Sequence, residues 1–422
     1  MYDQFNFYYL NKKIDREKYI IVTFSFLAPS LDFKSAVHAI AGESSIGTWT
    51  KIGGLTKARY KQLAPKIIWE DRRKQMVKIA YPLALFELGN IPQLLSSIGG
   101  NIFSMKVVER LRLLDIEFPK KYMQAMPGPK YGIDGIRKLL KINNRPLVGS
   151  IIKPKIGRTA KEHAQAAYDI WSNGVDVVKD DENLTDMSFN HFKDRVDWLM
   201  KLRNKAEKET GEKKLAIINI TAPYNLALAR AKYIKQKGGR CMMVDIVSMG
   251  WSAVQSLRQA NLGLIMHGHR AGHSMFTRDE TQGMTMYVLA KLSRLVGIDQ
   301  LHTGTVVGKM EGGSAEVVKI DNFLKEDWQH FNFLQSDWSK VKPVMPIASG
   351  GLHPGLVEGV VKYIGNDVII NFGGGIFGHP DGRKAGARAA RQAVEGATKG
   401  IKLSELVKEH KELATAVKYW KK

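Results

Sequence analysis

The chain has 422 residues, with 44% hydrophobic and 25% charged residues and a single cysteine. That length accommodates two domains, one of them a large α/β barrel; no apolar run reaches the roughly 18 residues of a transmembrane helix, and one thiol excludes an internal disulfide framework and suits a reducing cytoplasm. The formal charge of +23 would suit a nucleic acid, a phosphorylated substrate or a lysine-rich proteome, but the basic residues are scattered among acids and no helix-turn-helix, zinc or RNA-binding motif accompanies them, so specific nucleic-acid binding is set aside.

The N-terminus, Met1-Tyr-Asp-Gln-Phe5, lacks a basic stretch followed by an apolar one, so no secretory signal is expected. Residues 1–135 read as a small α+β domain. Tyr19–Leu27 is rich in β-branched and aromatic residues and predicts a strand. Asp32–Ala41 predicts a helix with Asp32 near its N-cap. A polar loop, Glu43-Ser-Ser-Ile-Gly-Thr-Trp-Thr50, follows. Lys78–Phe86 predicts a further strand, and Pro82 places it at an edge or a bulge. Ile91–Ile98 predicts a helix with Pro92 in its first turn, before the loop Gly99-Gly-Asn-Ile-Phe103. Between about 125 and 145 the composition shifts to glycine, proline and lysine, the pattern of a domain boundary.

From residue 136 to 422 short apolar runs alternate with helical periodicity. The expected strands are Leu147–Ile152, Val175–Lys179, Leu215–Ile220, Met242–Asp245, Leu264–His267, Gln300–His302, Val344–Ala348 and Val368–Asn371. Ala160–Trp171 and Thr281–Val296 show the helical repeat between them. Such strand–helix units predict a (β/α)8 TIM barrel, so the fold class is α/β with a small α+β domain ahead of the barrel. Leu403–Tyr419 completes it as an amphipathic C-terminal helix.

Chemistry in such barrels gathers at the C-terminal ends of the strands. Those ends carry Lys153-Pro-Lys155, Lys179-Asp-Asp-Glu182, His267-Gly-His-Arg270, His302-Thr-Gly-Thr305, Ser349-Gly-Gly351 and Gly373-Gly-Gly375. Each taken singly reads as a cap or a turn; the set, all at one face, reads as a site. Glycine pairs on the last two strands are tight turns or a phosphate cradle of backbone amides. Arg270 with His302 is a candidate pair for a second phosphate. His267 suits a core histidine, His269 less so. Lys153 and Lys155 are solvated surface lysines or, as the catalytic face favours, acid/base groups. Lys309 lies in a glycine-containing loop, Gly304–Gly313, which is a flexible surface segment or a flap that closes over substrate.

The stretch Gly174-Val-Asp-Val-Val-Lys-Asp-Asp-Glu-Asn183 is the most informative. Its valines run into Lys179, and alternation points Lys179 and Asp181 the same way. The cluster is an ion pair, or it is a magnesium site in which Asp181 and Glu182 supply oxygens. An ammonium is no ligand, but a neutral amine that has added CO2 becomes an anionic oxygen donor.

This motif resembles the activation segment of ribulose-1,5-bisphosphate carboxylase/oxygenase (RuBisCO) large subunits. The likeness spans nearly the whole chain through Glu43–Thr50, Gly100-Asn-Ile-Phe103, Ile151-Ile-Lys-Pro-Lys155, Lys179-Asp-Asp-Glu182, His269-Arg-Ala-Gly-His273, His302–Lys309, Ser349-Gly-Gly351 and Gly373-Gly-Gly375. The wording of Gly297-Ile-Asp-Gln-Leu-His302 is similar to that of the archaeal form III enzymes.

The resemblance implies carboxylation of ribulose 1,5-bisphosphate to two 3-phosphoglycerates, with oxygenation by O2 as a side reaction. Lys179 would carry the activating carbamate and bind Mg²⁺ with Asp181 and Glu182. The carbamate or Lys153 would take the carbon-3 proton, giving an enediolate whose charge the metal stabilises. Lys309 would steady the new carboxylate, Lys155 and His269 would assist proton transfers and substrate hydroxyls, and Lys153 would protonate the last carbanion. One phosphate would sit on Thr48, Trp49, Gly351, Gly373 and Gly374, the other on Arg270, His302 and Ser349, with Gly350 in the same turn. Glu43, Thr48, Trp49 and Asn101 would come from a neighbouring subunit, making a homodimer with shared sites the smallest active unit and leaving higher assemblies open. Nothing implies a small subunit, a membrane or a nucleic acid. An archaeal setting implies a cytoplasmic role in nucleotide (AMP) salvage.

Two departures stand out. Gly272 replaces a larger residue of the family pattern, which loosens the phosphate loop without removing a functional group. The short basic C-terminus does not supply the tail that latches the mobile loop in plant-type enzymes. The rival is a RuBisCO-like enolase or isomerase acting on another phosphorylated ketose; those relatives lose lysines that are all present here, namely Lys153, Lys155, Lys179 and Lys309.

Overall fold

In the computed structural model, which describes residues 6–47, 54–307, 313–326 and 336–421, eight parallel strands close into a barrel. They are β1 (Leu147–Ile151), β2 (Val177–Lys179), β3 (Leu215–Asn219), β4 (Cys241–Asp245), β5 (Ile265–His269), β6 (Gln300–Gly304), β7 (Met345–Ser349) and β8 (Ile369–Phe372). Each pairs with the next in sequence, and β8 closes on β1 with Ile369 opposite Leu147. The strands are almost wholly buried, which is why they read as continuous apolar runs rather than alternating ones.

The N-terminal end of the barrel is stoppered. The helix Gly132–Leu140 sends Ile133, Ile136 and Leu140 into one apolar cluster with Leu147, Val177, Leu215, Cys241, Ile265, Met345 and Ile369. Asp299 ties this floor together. Its Oδ1 accepts the Tyr131 and Gly132 amides at 2.7 and 3.1 Å, and its Oδ2 accepts Arg258 at 2.5 Å and the Met266 amide at 2.9 Å. Across the barrel, ahead of β2, Arg145 grips Asp176 with two bonds of 2.6 and 2.9 Å. With both carboxylates committed to structure at this end, chemistry is left to the other.

The crossover helices begin as their caps dictate. Thr159 and Glu162 form a reciprocal capping box on the helix Ala160–Trp171. The expected C-terminal helix is two helices, Leu403–Glu409 and Lys411–Trp420. His410 between them is extended, at φ −121° and ψ 103°. The break lets both pieces pack on the helix Gly382–Thr398, Leu406 filling the notch at Gly396 while Leu413, Ala416 and Val417 are buried farther along.

These strands belong to a unit made of Gly128–Ala271, Gly297–Asn332 and Lys342–Lys422. The second unit comprises Met1–Pro127, Gly272–Val296 and Phe333–Val341. It is built on a five-stranded sheet in the order Gly283–Met284, Arg110–Glu117, Tyr19–Leu27, Met76–Pro82, Lys66–Asp71. Tyr19–Leu27 is the predicted strand, and Asp32 caps the helix Phe33–Glu43 by accepting the Ser35 amide at 3.0 Å. The strand expected at Lys78–Phe86 starts at Met76 and lies inside the sheet, not at its edge. Pro82 is tolerated because it is the last paired residue, after which Leu83–Leu85 turns as a 3-10 helix. The helix expected from Thr281 begins at Met286, because Gly283 and Met284 pair with Arg112 and Leu113. Ile91–Ile98 is helical, with Asn90 as its cap. Among the described residues no helix is long and apolar enough to cross a membrane.

Candidate active site

Strand β2 delivers four charged side chains to the open end of the barrel, and alternation sorts them. Lys179 and Asp181 turn to the barrel side; Asp180 turns to the helix layer. There Asp180 accepts His163 Nε2 at 2.9 Å, Arg195 Nε at 3.1 Å and the Asn219 amide at 3.1 Å. Burial alone would raise the pKa of Asp180, but Arg195 and His163 hold it below the usual carboxylate value. Asp180 therefore anchors the strand end and leaves its neighbours free for other partners.

Those partners are lysines. Lys153, just past β1, places Nζ 2.7 Å from Asp181 Oδ2, and Lys155 places Nζ 3.0 Å from Glu182 Oε1. Lys179 is 1% exposed and donates to the Asp180 carbonyl oxygen at 2.7 Å. Its burial lowers its pKa, against the pull of Glu182, Asp181, Asp245 and Asp180. Burial works against ionisation of Glu182 as well, yet a backbone amide, Lys155, His269 and Lys179 together keep its pKa far below the normal range. The Lys155 ammonium is stabilised first by its bond to Glu182, which outweighs its own partial burial.

Opposite this cluster, three imidazoles meet at the ends of β5 and β6. His267 bonds Gln300 Oε1 through Nδ1 and lies 3.0 Å from His302 through Nε2, the fully satisfied core histidine its sequence position suggested. His269 Nδ1 is 2.9 Å from Asp245 Oδ1 at the end of β4, and its Nε2 is 3.8 Å from Glu182 Oε2. His302 stands edge-on to both rings, at centroid distances of 4.9 and 4.6 Å. Burial, and then the nearby positive charge, lowers the pKa of all three, so they are neutral at neutral pH.

Farther round, Arg270 follows β5 and forms no hydrogen bond or ion pair with a described residue. Burial lowers its pKa to about 10 against the pull of Glu316 and Asp321. Ser349 ends β7 and leads into Gly350 and Gly351, at φ +125° and +67°, a turn that only glycine enters without strain. Gly373 follows β8, and a Cβ there would come within 3.2 Å of Lys153 Cε, so the ends of β8 and β1 are in close contact. Gly374 opens a short helix, Gly374–Phe377.

The barrel thus gathers Lys153, Lys155, Lys179, Asp181, Glu182, His269, Arg270, His302, Ser349, Gly350, Gly351, Gly373 and Gly374 at its strand ends. Two family models match the chain: the ribulose bisphosphate carboxylase large chain catalytic domain over residues 132–420 and the N-terminal domain of the same large chain over residues 8–122. The chain belongs to the ribulose bisphosphate carboxylase large-chain family. It is 47% identical to the ribulose bisphosphate carboxylase of Methanocaldococcus jannaschii, over 92% of this chain and 94% of that one. Identity to the Pyrococcus abyssi carboxylase is 44%, over 97% and 95% of the two chains. Among solved structures, octameric Rubisco from Pyrococcus horikoshii superposes with a TM-score of 0.91 at 42% identity, covering 98% of this chain and 97% of that one. Dimeric archaeal Rubisco from Hyperthermus butylicus gives 0.91 at 41% identity, covering 98% of each.

For a carboxylase of this family the remaining expected residues fall elsewhere. Glu43 ends the helix Phe33–Glu43 and Asn101 begins the 3-10 helix Asn101–Ser104, both in the second unit. Thr48, Trp49 and Lys309 lie outside the described residues. Reading the sequence missed Asp245, which orients His269, and the His163–Asp180–Arg195 anchor. Asp245 ends a predicted strand and was open to recognition by that position alone; the anchor joins residues up to 32 apart in sequence and leaves no local pattern. Among the described residues no cluster of three or more His, Cys, Asp or Glu side chains is arranged to hold a metal. The carboxylates of Asp181 and Glu182 draw a cation each, and Lys179 lies in the field of both. A divalent ion fits this donor set only if Lys179 adds an oxygen ligand to the two carboxylates.

Proposed function

We propose that the chain catalyses carboxylation of ribulose 1,5-bisphosphate by CO2 to two molecules of 3-phosphoglycerate, with oxygenation as a side reaction. One observation carries the mechanism: a lysine buried at the end of β2, its ammonium disfavoured by burial, in the field of two carboxylates whose ion-paired lysines, Lys153 and Lys155, are both more exposed than it is. The neutral Lys179 amine adds to the carbon of CO2 and releases one proton. With the resulting carbamate, Asp181 and Glu182 would hold Mg²⁺. The metal, when bound, supplies Lewis-acid charge that stabilises negative charge developing on the sugar oxygens.

The other side chains bind, orient and move protons. Lys153, which reaches Asp181 from β1, shares with the carbamate the removal of the carbon-3 proton and later returns a proton to the product carbanion. Lys155 and the neutral His269, the latter fixed by Asp245, bear on the substrate hydroxyls. Lys309 steadies the carboxylate formed when CO2 adds to carbon-2. The turns at Ser349–Gly351 and Gly373–Gly374 offer backbone amides to one phosphate, and Arg270 with His302 offers charge and hydrogen bonds to the other. Neutral imidazoles suit this arrangement, because the lysines already provide the positive charge.

The active unit is a homodimer or an assembly of dimers, in which Glu43, Thr48, Trp49 and Asn101 of one subunit complete the site of another. The relatives described as dimeric and octameric support this reading. A buried thiol at Cys241, raised in pKa by burial, suits a reducing cytoplasm. The test is incubation of the purified protein with Mg²⁺, ribulose 1,5-bisphosphate and labelled bicarbonate. Label in 3-phosphoglycerate is expected; a folded, assembled protein that yields none refutes the reading.

A further inference from the structure

A buried carboxyl near Arg270 has no charged partner in contact among the described residues. Asp321, on the helix Ser314–Lys325, is 0% exposed, neither of its carboxylate oxygens makes a well-formed hydrogen bond to a described residue, and the Thr303 hydroxyl is the one neutral donor that acts on it. Buried acids are almost always paired, and an orphan calls for a reason. Its surroundings supply one. A Cβ on Gly304, at the end of β6, would lie 3.0 Å from Arg270 Nη2 and 3.3 Å from Val317 Cγ2. The guanidinium and Val317 of the helix thus both lie against the last residue of β6, and Asp321 follows Val317 by one turn on the same helical face. Arg270 and Asp321 each feel the other's charge, yet they are not within ion-pair distance.

We propose that Asp321 is a positioning residue for Arg270, and that an anion arriving on Arg270 draws a proton from solvent onto Asp321. The proposal rests on the reading of Arg270 as a phosphate-binding residue. With the anion absent, an ionised Asp321 offsets the guanidinium and holds it toward the helix. With the anion present, two negative charges share one cation, and the buried one is the cheaper to neutralise.

The charges around Asp321 allow this near neutral pH. Burial raises its pKa to about 7, against the Thr303 hydroxyl, Lys325 and Arg270. Thr303, on β6, also bonds the Ile347 carbonyl at 3.5 Å. His302 on the same strand is neutral. Lys325, one turn along the helix, donates to the Ile364 carbonyl at 2.5 Å. Strand β7 carries no titratable side chain, and the charged residues of the neighbouring helix Val357–Ile364, Glu358 and Lys362, are exposed. An added anion raises the Asp321 pKa further, so binding takes up a proton in the window above neutrality. Below that window the carboxyl is already neutral and binding is tightest; as pH rises through it, affinity falls.

Sulfate is the probe, because it keeps its charge throughout this range. It is titrated calorimetrically into the whole assembled enzyme, at about pH 6 and about pH 8.5, in buffers of different ionisation enthalpy. A one-unit rise in the Asp321 pKa gives about a sevenfold loss of sulfate affinity between those two pH values, with proton uptake on binding. Asp321→Asn and Asp321→Leu are expected to flatten the pH dependence and abolish the uptake. Unchanged uptake in either folded variant, or none in the native enzyme, overturns the proposal. Arg270→Ala separates the two readings. If it loses sulfate while the Asp321 variants behave as native, only the role of Asp321 falls; if it binds sulfate normally at about pH 6, the assignment of Arg270 falls and the proposal with it.

Discussion

Replacing Asp180 with alanine takes the counter-charge from a guanidinium that water does not reach. Arg195 is 0% exposed and meets Asp180 at 3.1 Å. It also donates to the Asn190 carbonyl at 3.2 Å, to Asn190 Oδ1 at 3.0 Å and to the Thr185 carbonyl at 2.5 Å. Those bonds survive the substitution, but none of them carries a negative charge. Breaking a buried pair from one side costs about 3–5 kcal/mol, and the surviving carbonyl partners place this case near the lower end, at about 3 kcal/mol. Asp180→Asn keeps the shape and one acceptor and is expected to cost about 2 kcal/mol. Equilibrium denaturation of both variants and the native enzyme, at one protein concentration and neutral pH, measures the difference. The folded pKa of Asp180 is depressed, so its contribution is complete above the unfolded value of about 4 and is lost as pH falls through the folded one. The deficit of Asp180→Ala should therefore shrink in acid. A cost below about 1 kcal/mol, the size of an exposed pair, would refute the account of Asp180 as the strand-end anchor.

Lys179→Ala should abolish activation by CO2 and Mg²⁺ and leave the circular dichroism spectrum unchanged; normal activity would contradict the metal assignment. In the native enzyme, activation at fixed dissolved CO2 should rise with pH and level off below the free lysine value of 10.5, because burial favours the neutral amine; a rise that continues to that value would show no such depression. Gly304→Ala puts a Cβ 3.0 Å from Arg270 Nη2 at a backbone φ of +113°, and should raise the KM for ribulose 1,5-bisphosphate about tenfold, a loss of about 1.4 kcal/mol in phosphate binding; unchanged steady-state kinetics would place the guanidinium elsewhere. Mixing Glu43→Gln subunits with Lys179→Ala subunits should restore part of the turnover that each lacks, and zero recovery in verified mixed dimers would argue that the sites are not shared.

The barrel was legible because most of its strands are short, largely apolar runs buried on both faces. Boundaries were read to within one or two residues wherever a charge ended the run, as at Lys179. Asp181 and Glu182 were legible because alternation and an adjacent turn settle their direction without reference to distant sequence. Asp180 was not, because its partners on the helices Ala160–Trp171 and Phe192–Thr210 are set by packing. The C-terminal helix misled for a related reason. Leu406, Leu413 and Val417 keep a helical repeat across His410, and only the notch at Gly396 explains the break. Pro82 misled because a proline at the last paired position of an inner strand looks, in sequence, like one at an edge.

The helix beneath the barrel has a kinetic consequence. Ile133, Ile136 and Leu140 plug the axis from below, so among the described residues the barrel is closed at that end and its strand-end site opens at the other. Sugar, gas and both product molecules share that opening, and each product must depart the way its precursor came. Clearing the entrance is then a step that every cycle passes through.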